Sequence, residues 1–130
     1  MMSYEKPDVY QIAMQFFSLA IQITNQMPAG HADLADQLKR ASMSISQNIG
    51  EGAGKRTPAD CRKYFDIARG SAMECGVHLD ICEKLGLAPP ELITSGKALL
   101  EREVAMLTRL SQRQGQSQSK RTRQGERPGV

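Results

Sequence analysis

Small and apolar residues recur along one predicted helix at alternating steps of four and three, and this spacing constrains the fold more than any other feature. The row consists of Cys61, Phe65, Ala68, Ala72, Cys75, Leu79 and Cys82. Steps of this kind place side chains on one side of a helix and are typical of helices that cross at a shallow angle. Because most of the row is small, a neighbouring backbone can approach closely. We therefore predict an all-α protein with this row buried between helices.

Three other segments have helical periodicity, and proline or glycine separates them. Thr57 and Pro58 suit the first positions of the third helix, and Gly50, Gly52 and Gly54 suit the end of the second. The short connections predict an antiparallel, up-down-up-down four-helix bundle over residues 1–112. The predicted helices are residues 8–26, 32–50, 57–85 and 90–112. The predicted apolar face of the fourth helix comprises Leu92, Gly96, Leu99, Met106 and Leu110, with Ile93, Leu100 and Leu107 beside it.

Residues 113–130 have no apolar period and are rich in Gln, Ser, Arg and Lys. Such a composition buries too little surface to offset the entropy of ordering, so we expect a disordered basic tail. Its basic residues are Arg113, Lys120, Arg121, Arg123 and Arg127, against the single acid Glu126. The bundle itself is nearly neutral, so the basic isoelectric point near 8.9 is weak evidence for a nucleic-acid-binding surface on the fold.

Neither a cofactor nor a metal is expected. Glu74 and His78 are four residues apart, whereas di-iron bundles use pairs separated by three and need several more inward acids. The segment 50–56 follows a helix and lacks the final Ser or Thr of a phosphate-binding loop. No nucleophile stands beside a base in the sequence, so no catalytic residue is predicted and an enzyme is not expected.

The three cysteines lack metal-ligand spacing and fall on the apolar row, which predicts reduced thiols packed as small hydrophobic residues in a cytoplasmic protein. The apolar run 12–23 is too short and too polar to cross a membrane, and we see no signal peptide. No membrane association is therefore expected. No small-molecule substrate is expected either, since no catalytic residue is predicted.

Two groups of polar residues are candidate sites. A basic corner joins the second and third helices, and it could attract phosphates, pair with acids of another subunit, or remain solvated. A set of polar residues within or beside the apolar faces could form a network between helices or across a subunit boundary, or could face solvent. The candidate nucleic-acid contacts are Lys55, Arg56, Arg62 and Lys63 with Lys120, Arg121 and Arg123 of the tail, and the candidate network residues are Asn48, Glu51, Ser71 and Glu74.

Residues 44–75 resemble a bacterial family named after proteins encoded in the intervening sequences of 23S rRNA. The resemblance rests on the pairs Ser44-Ile45, Asn48-Ile49, Glu51-Gly52, Tyr64-Phe65, Ile67-Ala68 and Gly70-Ser71, together with Glu74. It extends more loosely over residues 4–112. This sequence departs from the family at Gly50, where alanine is more usual, and we expect the glycine to affect the packing of the second helix.

The resemblance implies a cytosolic, antiparallel four-helix bundle that forms homopentameric rings. It also implies a relation to accessory proteins of diversity-generating retroelements, which bind nucleic acid through basic surfaces. It supplies no catalytic residues. We therefore expect a non-enzymatic, self-assembling scaffold or binding module that contacts RNA or DNA through basic corners and tails. The alternative is a protein–protein interaction scaffold with no nucleic-acid role.

Overall fold

The fold is a bundle of four helices, seen in a computed structural model that describes the backbone of residues 8–125 and the side chains of residues 8–116. No strand occurs in this part of the chain, which confirms the predicted all-α class. None of the helices in it is long and apolar enough to cross a membrane. The helices are α1 (Asp8–Gln26), α2 (Ala32–Ala53), α3 (Pro58–Leu85) and α4 (Pro90–Gly125).

Each helix packs against two neighbours, which gives a square, antiparallel arrangement. α3 contacts α2 and α4, and α1 contacts the same two helices from the opposite corner. Ser44 meets Ser71 across α2 and α3, while Lys97 meets Asp80 across α3 and α4. Each pair shows that its two residues lie at the same height along the bundle. Because neighbouring helices are antiparallel, the heights of the other residues follow by counting in opposite directions from the pair.

The predicted row of α3 lies in the core. Phe65, Ala68, Ala72, Cys75, Leu79 and Cys82 are all buried, and Cys61 at the upper end is half-buried. The row packs into one core cluster with residues of the other helices, including Phe16, Ile45 and Leu107. Since α3 lies between α2 and α4, its small side chains face the two most extensive helix contacts of the bundle.

The ends of α3 follow from local sequence. The Thr57 hydroxyl accepts a hydrogen bond from the Asp60 amide at 3.2 Å, and Pro58 occupies the first turn, where its missing amide costs nothing. Gly86 adopts a left-handed conformation with φ of 67°, and the Leu87 amide donates to the Cys82 carbonyl at 2.9 Å. Together with the bond from the Gly86 amide to the Glu83 carbonyl at 3.2 Å, this forms a Schellman cap, which favours glycine at that position.

Two helices continue beyond their predicted ends. α2 reaches Ala53 rather than Gly50, and α4 reaches Gly125 rather than Gln112. The α4 backbone therefore differs from the prediction that disorder begins at Arg113, and residues 126–130 of the predicted tail lie outside the described residues. An established helix can extend through Gln, Arg and Lys because propagation needs no new nucleus and these residues have good helix propensity.

Gly50 and Gly52 lie close together in α2 but meet different surroundings. A Cβ atom added to Gly52 would lie 2.7 Å from Cε1 of the buried Phe65 ring and 3.3 Å from the Cys61 carbonyl oxygen. A Cβ atom added to Gly50 would meet nothing within 4 Å. The expectation that Gly50 affects the packing of α2 is therefore wrong, and the close approach of α2 to α3 depends on Gly52.

Gly50→Ala is expected to stabilise the protein by about 0.5–1 kcal/mol, because alanine restricts the unfolded chain and fits the open helical position. Gly52→Ala is its matched control and is expected to destabilise the protein by about 1–3 kcal/mol, because Phe65 must move. Urea unfolding followed by circular dichroism measures both changes. Equal effects of the two substitutions would contradict the assigned packing.

Candidate functional site

Basic residues from the α2–α3 connection, the start of α3 and the end of α4 meet at one end of the bundle, which we call the basic end. The α2–α3 corner contributes Lys55, Arg56, Arg62 and Lys63, and the antiparallel order brings the last turns of α4 to the same end. A Cβ atom on Gly115 of α4 would lie 2.8 Å from the Arg62 guanidinium, which fixes this relation. The acidic first residue of α1, Asp8, lines a small pocket together with Arg109 and Arg113 of α4 in the same half of the bundle.

Tyr64 holds two lysines at the corner. The Lys55 ammonium lies 5.0 Å from the centroid of the Tyr64 ring, and the Lys63 ammonium lies 5.6 Å from it. Both distances are within the range of a cation–π contact, which orients a charge without neutralising it. Lys55 also pairs with the exposed Glu51 at 3.6 Å, and Lys55 itself is half-buried. The arrangement keeps Lys63 accessible and restrains Lys55 more strongly.

Arg62 belongs to a set of polar contacts that joins α3 to α4. Its Nε lies 3.7 Å from an Asp66 carboxylate oxygen, and the Ser111 hydroxyl donates a hydrogen bond to the other oxygen of Asp66. The absence of a side chain at Gly115 leaves room for the guanidinium beside α4. About half of the Arg62 side chain remains exposed. Asp66 therefore links α3 to α4, and Arg62 beside it presents positive charge.

The remaining predicted contacts lie farther along α4. Lys120, Arg121 and Arg123 belong to its last two turns. Since Gly115 is beside Arg62 and α3 begins only one turn before Arg62, α4 extends about two turns past the start of α3. The structure thus brings the backbone of these three residues to the same end as the corner.

Two of the four residues predicted to form a polar network meet between α2 and α3. The hydroxyls of Ser44 and Ser71 are 2.8 Å apart, and the Asn48 amide donates to the Ser44 carbonyl at 2.8 Å and to the Ser44 hydroxyl at 3.0 Å. Asn48 and Ser71 are therefore linked through Ser44. The bonds connect two packed helices at one height, and such a link favours a single register.

The other two residues predicted for this network lie elsewhere. Glu51 is exposed and pairs with Lys55, and Glu74 is exposed with its carboxylate 3.7 Å from Nε2 of His78. Steps of three and four along a helix place residues on adjacent parts of its surface but do not fix how far that surface is turned towards a neighbour. In the structure, the orientation of α2 and of α3 about their own axes leaves the carboxylates of Glu51 and Glu74 exposed to solvent.

The thiols occupy the sites expected for small hydrophobic residues. All three cysteines are free, and Cys75 and Cys82 are fully buried. Burial raises the pKa of Cys75 to about 12, with a further contribution from Glu74, and burial also raises the pKa of Cys82. Neither thiol is therefore a nucleophile at neutral pH. The half-buried Cys61 thiol points to the Lys55 carbonyl oxygen at 3.5 Å.

A buried carboxyl group in α4 was missed by the sequence analysis. Glu103 is only 1% exposed and neither of its side-chain oxygens has a hydrogen-bond partner among the described residues. It continues a buried row at steps of three and four with Ile93, Gly96, Leu100 and Leu107. That spacing was the available signal, because the predicted face centred on Leu92, Leu99 and Leu110, which are only half-buried.

The environment of Glu103 favours its protonated form. Loss of hydration raises its pKa to about 8, and the neighbouring Arg102 lowers it only in part. A second buried polar group, His78, also lacks hydrogen-bond partners in the described part of the chain, since 3.7 Å to Glu74 exceeds hydrogen-bond length. Among the residues that the structure describes, no group of three or more His, Cys, Asp or Glu residues could hold a metal ion.

Glu103→Gln is expected to flatten the dependence of stability on pH. The folded pKa of about 8 lies above the ordinary value of 4.5, so between these values the folded chain keeps a proton that the unfolded chain loses. The free energy of unfolding should therefore fall as pH rises through this window, by up to about 1.4 kcal/mol per pH unit. Urea unfolding at several pH values measures the slope.

The exposed Glu91, on the same helix and outside the buried row, provides the matched control. Glu91→Gln should leave the slope nearly unchanged, whereas Glu103→Gln should remove most of it. Parallel pH profiles for the natural protein and Glu103→Gln would show that Glu103 ionises in the folded state as easily as in the unfolded one.

The comparisons agree with this architecture. Residues 5–109 match the family described as 23S rRNA-intervening sequence protein. No curated protein matches the chain. The match covers nearly the whole bundle, including the corner between α2 and α3 and the buried rows of all four helices. On this evidence the chain belongs to the 23S rRNA-intervening sequence protein family.

Proposed function

We propose that the protein is a non-enzymatic, self-assembling scaffold that presents its basic end to nucleic acid. The observation that carries this proposal is the separation of charge along the bundle. Among residues 8–125, the half of the bundle that contains the α2–α3 corner has ten basic and four acidic residues. The basic ones are Lys55, Arg56, Arg62, Lys63, Arg69, Arg109, Arg113, Lys120, Arg121 and Arg123, and the acidic ones are Asp8, Glu51, Asp60 and Asp66.

The opposite half has the reverse balance. Within the described part of the chain, its five basic residues are outnumbered by eight acidic ones, among them Asp33, Asp36, Asp80, Glu83 and Glu91. A molecule with this distribution orients in the field of a polyanion, with the basic end leading. Phosphates of RNA or DNA are the polyanion that clustered Lys and Arg recognise through release of counterions.

Assembly would increase the affinity of a surface that is weak in one copy. We propose a cyclic oligomer, with five copies as the family resemblance implies, in which every copy contributes a basic end. Linked weak contacts act at high effective concentration, so a ring binds a long nucleic acid far more tightly than a single chain does. The free thiols support a reducing, cytoplasmic location.

Binding of short labelled RNA and DNA, single- and double-stranded, tests this function by fluorescence anisotropy. Affinity is expected to fall steeply between about 50 and 200 mM salt. The double variant Arg56→Glu/Lys63→Glu should weaken binding about tenfold or more and should reduce the salt slope, because each lost phosphate contact lowers that slope by about one. Both residues are exposed, so the fold should be unaffected.

Lys84→Glu is the matched control, because Lys84 is an exposed α3 lysine near the acidic end. It should bind as the natural protein does. Absence of binding to every probe at low salt would contradict the nucleic-acid role, and an oligomer that binds none of them would favour the alternative scaffold for another protein. Light scattering of the purified protein gives the number of copies.

A further inference from the structure

An apolar ridge runs along the outside of α3. Met73, Val77, Ile81 and Leu85 follow one another at steps of four, and their exposed fractions are 53%, 57%, 39% and 55%. Isolated exposed apolar residues are common, but four of them on successive turns of one helix form a continuous surface of the kind that binds a partner. The ridge faces away from the buried row of the same helix.

A groove of about 530 Å³ lies beside this ridge, between α3 and α4. Small residues leave it open, including Ala72, Gly76 and Ala105, and a Cβ atom added to Gly76 would meet nothing within 4 Å. Its rim is acidic. Lys97 is held by Asp80 at 2.7 Å and by Glu83 at 3.3 Å, while no ion pair involves Glu101 among the described side chains.

A second exposed surface, on α2, has a net positive charge at the height of the groove. Met43 is 38% exposed, Lys39 and Arg40 lie one turn before it, and the exposed acid Asp36 lies one turn before Arg40. Neither of these basic residues forms an ion pair within the described part of the chain, and Arg40 is exposed. An apolar residue with unpaired positive charges beside it complements an apolar groove with an acidic rim.

The two surfaces lie at the same height on different sides of the bundle. The bond between Ser44 and Ser71 places Met43 level with Ala72, and the antiparallel direction places Arg40 level with Cys75, so both are level with the groove. α2 does not contact α4, which forms one wall of the groove. Rotation about an axis parallel to the helices preserves height, so it can bring one surface onto the other in successive copies.

We propose that the α3–α4 groove of one copy binds the outer face of α2 of the next copy, with Val77 and Glu101 meeting Met43 and Arg40. This inference rests on the proposed self-assembly and specifies its interface. The contact is heterologous, and because its two surfaces share one height, repeating it by rotation about an axis parallel to the helices closes a ring when the rotation angle divides a full turn evenly. Because the contacting surfaces share one height, all basic ends lie on the same side of that ring.

A symmetric contact between two grooves is the competing arrangement. It would bring Asp80 and Glu101 of one copy towards the same acids of the other, while Lys97 is already engaged within each copy. Like charges placed opposite one another at an interface oppose association. The charges of the two surfaces therefore favour the contact between groove and α2.

Complementary loss-of-contact variants test the proposal by mass photometry and light scattering. Val77→Lys blocks the groove, and Arg40→Glu reverses a charge on the α2 surface. Each variant alone is expected to be monomeric, with a natural helical circular-dichroism spectrum. An equal mixture should form heterodimers and no larger species, because the intact groove of Arg40→Glu can bind the intact α2 surface of Val77→Lys only once.

Charge exchange and an unrelated charge reversal complete the test. Arg40→Glu combined with Glu101→Arg in one chain should restore the oligomer, and Arg56→Glu should leave it intact. If the natural protein is a monomer, the proposed self-assembly itself fails. If it is an oligomer that neither Val77→Lys nor Arg40→Glu disrupts, or if Arg40→Glu dimerises by itself, the interface is wrong although self-assembly stands.

Discussion

The close contact of α3 with its two neighbours is the constraint on which the rest of the structure depends. Ala68, Ala72 and Cys75 are fully or almost fully buried, so the backbones of α2 and α4 can approach α3 more closely than a row of leucines would allow. Close packing of this kind gains many dispersion contacts, each small, and leaves little freedom for sliding. The antiparallel register of the bundle, and every height inferred from it, follows from this contact.

That register brings residues that are far apart in the sequence together on common surfaces. It brings the α2–α3 corner and the last turns of α4 to one end, where basic residues predominate. It also sets the groove beside Val77 level with Arg40 on α2. The proposed binding of a polyanion and the proposed assembly of copies thus use different surfaces, since one lies at an end of the bundle and the other two lie along its sides.

The sequence was sufficient where one local rule determined the outcome. The steps of four and three predicted the buried row of α3, and Thr57 with Pro58 predicted where that helix begins. The end of α4 was not predictable in this way, because Gln, Arg and Lys are compatible with both a helix and a disordered tail. Glu103 was missed because carboxylates are rarely buried. Its spacing from Leu100 and Leu107 nevertheless places it in the buried row of α4.

For the candidate site, too, the sequence was sufficient for features that are local in the chain and insufficient for contacts between distant helices. The basic corner is contiguous in sequence and could be recognised there, whereas its meeting with α4 depends on the relative heights of helices that are far apart in the chain. Likewise, Asn48 and Ser71 were identified as polar members of helical faces, but the Ser44 hydroxyl that joins them required the rotation of both helices. The acidic groove and the basic α2 surface could be compared only once their heights were known.

Thiol labelling tests the packing of α3 against α2 and α4 most directly. The experiment measures how fast a small thiol reagent labels Cys75 and Cys82 in a Cys61→Ser variant, which lacks the half-buried thiol. The two thiols are expected to react at least about a thousandfold more slowly than in the urea-unfolded chain, because a dry helix contact opens only with global unfolding. Their protection should decrease with urea in parallel with the loss of helix. Rapid labelling without denaturant would contradict the buried contact of α3 and the register derived from it.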